Sequence, residues 1–136
     1  LIRRCENLPG RRLFQYLNGD GQPHPITSAD VNTYLQEISG EPFTAKDFRT
    51  WRACCVLVEQ LSDLPAPEKP AHWKKGLLQG IRATAERMAH TPAICRSNYL
   101  HPLLLEKYEQ GDLTWPKKLS EQEAERWFRE YLRQAS

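Results

Sequence analysis

The sequence predicts a mainly α protein of about six helices with one small β-hairpin element. Apolar residues recur at helical spacing in several stretches, and capping residues precede those stretches. An Asn-Gly-Asp-Gly turn lies between two short extended stretches, which is typical of a hairpin. With 136 residues, of which 40% are hydrophobic, the chain suits one domain with one core.

The composition indicates a polar chain with a slight positive charge. Mean hydropathy is -0.67 and the formal net charge is +2. No apolar run approaches the roughly 18 residues of a membrane-spanning helix, so we expect no membrane partner and a cytoplasmic location. Arginine outnumbers lysine and suits forked contacts to phosphate, although composition alone favours an ordinary basic surface. Because the chain starts at Leu1, we expect it to belong to a longer protein.

The four cysteines do not form a metal or disulfide pattern. Cys54 and Cys55 are adjacent on a predicted helix, so their side chains point about 100° apart. No CxxC is present, and Cys5 and Cys95 are distant in sequence. We therefore expect buried or half-buried thiols in a reducing compartment.

The first elements predicted are a helix end and a hairpin. Leu8-Pro9-Gly10 ends a helix that precedes it. Residues 13–17 form a short strand and residues 18–21 a turn, while Pro23 and Pro25 restrict the returning strand to an edge.

A capped helix follows the hairpin. Thr27 and Asp30 fit a capping box, and Gly40 ends the helix. Its apolar residues recur at helical spacing, which predicts one face buried in the core: Val31, Tyr34, Leu35 and Ile38.

The next predicted helix begins after Thr44, with Asp47 three residues on, and runs to about residue 61. Its apolar stripe comprises Phe48, Trp51, Cys55 and Val58. Phe48 and Trp51 are therefore expected in the core, and Arg49 lies about 100° from Phe48, at the edge of the stripe.

A proline-containing loop at residues 62–71 separates this helix from one expected to begin at Trp73 or Lys74. Thr91-Pro92 fits the N-cap and first position of a short helix. The inward residues of the longer helix are expected to be Leu77, Leu78, Ile81, Ala85 and Met88.

Two further helices complete the prediction. Residues 103–110 form a short helix that Gly111 ends. Ser120 caps the last helix, with Glu123 at the third position. The apolar stripe of this last helix is Ala124, Trp127, Phe128, Tyr131 and Leu132.

Tyr99 and His90 are the candidate reactive residues. Tyr34, Tyr108 and Tyr131 fall in or near apolar stripes, which favours core packing, whereas the neighbours of Tyr99 are polar: Arg96, Ser97, Asn98 and His101. His90 precedes a predicted helix N-terminus, where free N–H groups attract anions. From context alone, a surface position is the simpler interpretation for both residues.

An arginine, a histidine and a tyrosine together could hold a phosphodiester and attack it. Preorganised cationic donors stabilise the charge that develops on the non-bridging oxygens. Cationic neighbours also favour the ionised phenol, which is the attacking form. The resulting phosphotyrosine would store the bond energy, so resealing needs no ATP. The sequence shows no carboxylate cluster suited to Mg²⁺, and we expect neither a metal nor a cofactor.

Four motifs in order resemble type IB DNA topoisomerases of the bacterial, poxvirus-like branch. Thr44-Ala45-Lys46-Asp47-Phe48-Arg49-Thr50-Trp51 resembles the arginine motif of that family. His90-Thr91-Pro92-Ala93-x-Cys95-Arg96-x-x-Tyr99-x-His101-Pro102 resembles its active-site tyrosine motif. Leu8-Pro9-Gly10-x-x-Leu13-Phe14-x-Tyr16 and Asp30-Val31-Asn32-x-Tyr34-Leu35 also resemble that branch. The resemblance runs from about residue 8 to 111.

The resemblance implies roles for five residues. Tyr99 would be the nucleophile, Arg49 the stabiliser of the transition state, and His90 a contact to a phosphate oxygen, where bacterial relatives often carry Asn. Lys46 and Arg96 are the candidate DNA contacts. The implied protein is a monomer that acts on double-stranded DNA at the nucleoid. It would relax supercoils through a 3′-phosphotyrosine intermediate, without ATP, metal or a small-molecule cofactor.

The family also uses an upstream arginine and a hairpin lysine, and both should precede Leu1. Neither role is assigned to any residue of this sequence. We therefore expect residues 1–136 to be the C-terminal portion of a catalytic domain, without its clamp domain and catalytic hairpin. The isolated piece should cleave DNA poorly or not at all.

Two alternatives stay open on the sequence. A tyrosine recombinase uses a similar residue set, and the step from His90 to Tyr99 suits both families. Lys46-x-x-Arg49 would stand where recombinases usually show His-x-x-Arg, and the surrounding motif favours the topoisomerase. A non-catalytic helical module that binds DNA or protein is compatible with everything except the polar setting of Tyr99.

Overall fold

The computed structural model describes residues 12–115 and 117–135, in which six helices and one two-stranded sheet are present. The prediction of a mainly α fold with one small hairpin is confirmed. The described residues fall into two compact units, one ending at Ala45 and the other beginning at Lys46. No helix in these ranges is long and apolar enough to cross a membrane. The helix end predicted at Leu8-Pro9-Gly10 lies outside the described residues.

The described part of the first unit begins with the predicted hairpin. Strand β1 (Gln15–Leu17) pairs with the antiparallel strand β2 (Pro23–Pro25), and Tyr16 lies opposite His24. The Asn18 side chain organises the turn, because its Oδ1 accepts hydrogen bonds from two backbone N–H groups within the turn, at 3.1 and 2.8 Å. The Asn18 side chain thus supplies hydrogen bonds to turn N–H groups that the short strands leave without a strand partner.

Helix α1 (Ser28–Ser39) has the ends that the sequence predicts and lacks the predicted burial. Thr27 and Asp30 form a reciprocal capping box, and Gly40 ends the helix at a φ of 70°. None of its residues is buried, and Tyr34 is 61% exposed. Helical spacing places apolar residues on one face, but it does not provide an element that covers that face.

Helix α2 (Ala45–Ser62) is the centre of the second unit. Residues 53–58 are all buried, so this segment is surrounded on every side, and Leu61 is buried as well. Trp51 packs against the Phe128 ring with centroids 5.2 Å apart, as expected for a core residue. The core prediction for Phe48 is wrong, since its side chain is 53% exposed. The first turn of the helix extends beyond the core that its middle occupies.

Helix α3 (Pro70–Arg87) begins earlier than predicted. Lys69 is its N-cap, and Pro70 occupies the first turn, where a proline loses no hydrogen bond. Three of the predicted inward residues are buried, namely Leu77, Ile81 and Ala85. Leu78 is 51% exposed, so its assignment to the core is wrong.

The last three helices are α4 (Pro92–Asn98), α5 (Pro102–Glu109) and α6 (Glu121–Ala135). Thr91 caps α4 through a bond to the Ile94 N–H, as predicted. Ser120 and Glu123 form the predicted capping box of α6. Helix α6 buries Ala124 and Phe128 in the same core as α2, which supports its predicted apolar stripe. The second unit is therefore a helical bundle around the middle of α2.

Candidate active site

Three helices of the second unit bring Arg49, His90 and Tyr99 to one place. Arg49 lies in the second turn of α2, just before the buried segment of that helix. His90 follows the end of α3, and Tyr99 is the C-cap of α4. Arg49 is exposed, whereas His90 and Tyr99 are half-buried, so the group stands at the edge of the core and is open to solvent.

The three side chains are in mutual contact. Arg49 Nη2 lies 2.7 Å from His90 Nε2. The His90 and Tyr99 rings are stacked, with centroids 4.7 Å apart and an interplanar angle of 16°. The Arg49 guanidinium carbon lies 5.1 Å from the centroid of the Tyr99 ring, within the range of a cation–π contact. The residues predicted from separate motifs thus form one cluster.

The direction of the Arg49–His90 hydrogen bond follows from chemistry. A guanidinium can only donate, so His90 Nε2 must accept. In this bond, Nε2 therefore carries no proton. One of the five guanidinium N–H groups is used in this bond, and among the described residues no further hydrogen bond of Arg49 is seen, so other N–H groups can meet an anionic ligand.

An unusual backbone conformation places His90. Ala89 has a φ of 56°, a left-handed conformation that costs a residue with a Cβ about 1–2 kcal/mol. The His90 N–H donates to the Ala85 carbonyl at 2.8 Å, and the Ala89 N–H donates to the Glu86 carbonyl at 3.1 Å. These two bonds form a Schellman motif that ends α3 and turns His90 toward Tyr99. Because the motif usually carries glycine where Ala89 stands, no residue pattern predicts it here.

Arginines near Arg49 form ion pairs with carboxylates. Among the described residues, Arg49 itself forms no such ion pair. Arg52 pairs with Glu121 at 2.6 Å, and Arg87 pairs with Glu59 at 2.7 Å and with Glu121 at 3.2 Å. These pairs also join α2, α3 and α6. An anionic ligand therefore meets no competing carboxylate of the described residues at the Arg49 guanidinium.

The two predicted DNA contacts lie outside the cluster. Lys46 is exposed in the first turn of α2, one turn before Arg49. Arg96 is exposed on α4, and its Nη2 donates to Glu109 Oε1 at 3.4 Å. A ligand anion would have to compete with Glu109 for Arg96. The sequence does not predict the Arg96–Glu109 ion pair.

The cysteines support the core rather than a metal centre. Cys54, Cys55 and Cys95 are buried free thiols, as predicted, and Cys5 lies outside the described residues. Burial raises the pKa of Cys54 to about 12 and that of Cys55 to about 11. Across the ranges that the structure covers, no group of three or more potential ligands could hold a metal ion.

The protein has a mainly α fold and gathers an arginine, a histidine and a tyrosine at one solvent-accessible position. This combination is typical of a class of protein that binds a phosphodiester. Residues 1–126 match the family described as "Eukaryotic DNA topoisomerase I, catalytic core". The chain belongs to this family.

A viral relative is consistent with the family. The chain is 31% identical over 117 residues to a protein named "DNA topoisomerase 1B" from Acanthamoeba polyphaga mimivirus. The matched region covers 81% of this chain and 35% of the relative. The chain thus spans about a third of the length of the curated relative it matches.

Proposed function

We propose that the protein is a type IB DNA topoisomerase that relaxes supercoiled double-stranded DNA through a 3′-phosphotyrosine intermediate. The observation that carries the proposal is the mutual contact of Arg49, His90 and Tyr99 in a chain of the topoisomerase I family. The resemblance of the two motifs that supply these residues supports the bacterial, poxvirus-like branch. The viral relative's name supports the type IB assignment.

The cleavage step is a transesterification. The Tyr99 phenol releases its proton to solvent and its oxygen attacks the phosphorus, so that a new P–O bond forms and the bond from phosphorus to the 5′ oxygen breaks. The 5′ oxygen leaves as a hydroxyl after receiving a proton from a general acid. By the family resemblance, that acid is a lysine upstream of Leu1. Attack of the same 5′ hydroxyl on the phosphotyrosine reverses the step, so the strand is resealed without ATP.

Arg49 and His90 stabilise the charge that develops during this step. Arg49 contributes its remaining N–H groups to the non-bridging oxygens, which makes a charge-assisted contact. His90 can donate from Nε2 only when that nitrogen carries a proton, and its bond to Arg49 must then open. We therefore expect DNA to replace the Arg49–His90 bond with two contacts to phosphate. Lys46 and Arg96 would bind the DNA backbone beside the site.

Residues 1–136 would form the C-terminal portion of the catalytic domain in this proposal. The limited coverage of the viral relative supports this interpretation. The isolated chain should cleave DNA poorly or not at all, because the upstream arginine and lysine of the family have no counterpart assigned here. Efficient plasmid relaxation by the isolated 136-residue chain would contradict this expectation.

The direct test compares the full-length protein with its Tyr99→Phe variant on supercoiled plasmid, without ATP and with a metal chelator. We expect wild type to relax the plasmid and Tyr99→Phe to bind DNA without relaxing it, since only the hydroxyl is lost. Tyr34→Phe is the matched control, because Tyr34 is exposed and lies in the other unit. Site-specific strand exchange without relaxation would indicate a recombinase. Binding without cleavage by wild type would indicate a non-catalytic module.

A further inference from the structure

The Cys54 thiol joins the arginine helix to the backbone of the candidate nucleophile, Tyr99, and of His101, two residues after it. Cys54 Sγ donates to the Tyr99 carbonyl at 3.5 Å and accepts from the His101 N–H at 3.4 Å. Cys54 is 1% exposed, whereas Tyr99 and His101 are half-buried, so both bonds lie at the edge of the core. Sulfur makes weaker hydrogen bonds than oxygen, but here one atom satisfies two backbone groups of the same turn.

The position of this contact in the chain matters for the site. Helix α4 ends at Asn98, and α5 begins at Pro102, so Tyr99 lies in the short connection between two helices. The Tyr99 N–H still bonds to the Cys95 carbonyl, at 3.1 Å. Beyond that bond, the Cys54 thiol holds the connection against α2, the helix that also carries Arg49. The distance from Arg49 to Tyr99 therefore depends on a contact made five residues further along the same helix.

The thiol is chemically suited to a permanent role in this connection. Its pKa is raised to about 12, chiefly because burial disfavours the thiolate. The S–H group is therefore kept as a donor throughout the neutral range. A buried thiol with this pKa is also a poor nucleophile, which argues against a redox or alkylation role.

We propose that Cys54 is a positioning residue for Tyr99: its thiol fixes the backbone of the nucleophile relative to Arg49. The proposal rests on the proposed function, in which Tyr99 attacks DNA. The sequence does not predict this role, since the adjacent cysteines raise only two interpretations, a metal site and buried packing residues. A small displacement of a reacting group can slow a reaction by orders of magnitude, so even weak bonds at this place can matter.

The chain provides a matched control in Cys55. Both cysteines lie in the buried segment of α2, and Cys55 is 3% exposed. Replacing either by alanine removes one buried sulfur from the same helix, but only Cys54→Ala removes the bonds to the Tyr99–His101 connection. Cys54→Ser removes the sulfur and keeps a group that both donates and accepts.

The experiment uses the full-length protein and measures single-turnover formation of the covalent DNA adduct, equilibrium DNA binding, and amide exchange of a peptide spanning residues 99–105. We expect Cys54→Ala to form the adduct about 10- to 100-fold more slowly with little change in binding. Cys54→Ser should recover most of the rate, and Cys55→Ala should stay close to wild type. Amide exchange in the peptide should be faster in Cys54→Ala than in Cys55→Ala.

Several results would overturn the proposal. Equal rates for Cys54→Ala and Cys55→Ala would reduce Cys54 to a packing residue, as would a Cys54→Ser variant no better than Cys54→Ala. If Cys54→Ala does not fold, the serine variant and the exchange measurement decide the question. In these cases the wild-type adduct still forms, so the proposed function stands. A wild-type protein that forms no adduct defeats the proposed function and the positioning role together.

Discussion

The unit that ends at Ala45 and the unit that begins at Lys46 follow the same local rules but differ in what they bury. Helix α1 has a complete capping box and a left-handed glycine at its end, yet none of its residues is buried. Helix α2 has a middle segment that is buried on all sides. Capping and turn chemistry therefore determine where a helix begins and ends, whereas burial and the candidate site depend on the other helices.

The largest effect expected from this difference is on stability. Phe128 is 2% exposed and packs against Trp51, so Phe128→Ala should lower the free energy of unfolding by about 3–5 kcal/mol. Tyr34 is 61% exposed, so Tyr34→Ala should change it by less than about 0.5 kcal/mol in this chain. Urea denaturation of both variants measures the difference. Equal destabilisation would show that Tyr34 is part of a core after all.

A comparable effect on activity is expected at Arg49. Arg49→Lys keeps the charge and loses the planar fork, so DNA cleavage by the full-length protein should slow about 100- to 1000-fold. Arg52→Lys is the control on the same helix, because Arg52 already pairs with Glu121 at 2.6 Å and is not in the cluster. Its rate should change by less than about fivefold, as for an exposed ion pair. Similar losses in both variants would assign Arg49 a general electrostatic role only.

Much of the fold and of the candidate site was predictable, because the signals are local. Thr27, Thr91 and Ser120 each precede a helix that the structure contains. The motifs around Arg49 and Tyr99 named the residues that the fold brings together. Whether these residues perform the proposed chemistry remains a prediction.

Other features were not predictable, since they depend on contacts between distant segments. The spacing in α1 could not show that its apolar face would be exposed in the described part of the chain, and the same holds for Phe48 and Leu78. The cluster of prolines before α3 predicts a loop that includes Pro70, although proline is also favoured in a first helical turn. The Cys54 bonds to the Tyr99 connection span more than 40 residues and have no sequence signature.

A smaller effect is expected where the backbone places His90. Ala89→Gly should relieve the left-handed strain at a φ of 56°, and this gain should exceed the added entropy of the unfolded chain. We expect a net stabilisation of about 0.5 kcal/mol, visible as a higher thermal midpoint. Ala83→Gly, in the body of α3, should instead destabilise by about 1 kcal/mol. A lower midpoint for both variants would contradict the strain at Ala89.

The smallest effect concerns the cap of α6. Hydrogen bonds from Lys117 and from the backbone and side chain of Ser120 lower the pKa of Glu123 to about 2. Because this pKa lies below the ordinary value of 4.5, the stabilisation is present above pH 4.5 and is lost as the pH falls toward 2. The thermal unfolding midpoint should therefore fall as the pH drops from 4.5 toward 2, and it should fall less in Glu123→Gln, which has no carboxylate to protonate at this position. An unchanged pH profile would show that the carboxylate contributes nothing to the cap.

The most direct test of the central claim is to identify the residue that becomes linked to DNA. The full-length protein is incubated with DNA, trapped with a denaturant and digested with protease and nuclease, and the modified peptide is sequenced by mass spectrometry. We predict a nucleotide phosphate on Tyr99, attached through the 3′ end of the cleaved strand. A linkage to another residue, or a relaxed plasmid with no adduct on Tyr99, would contradict the claim.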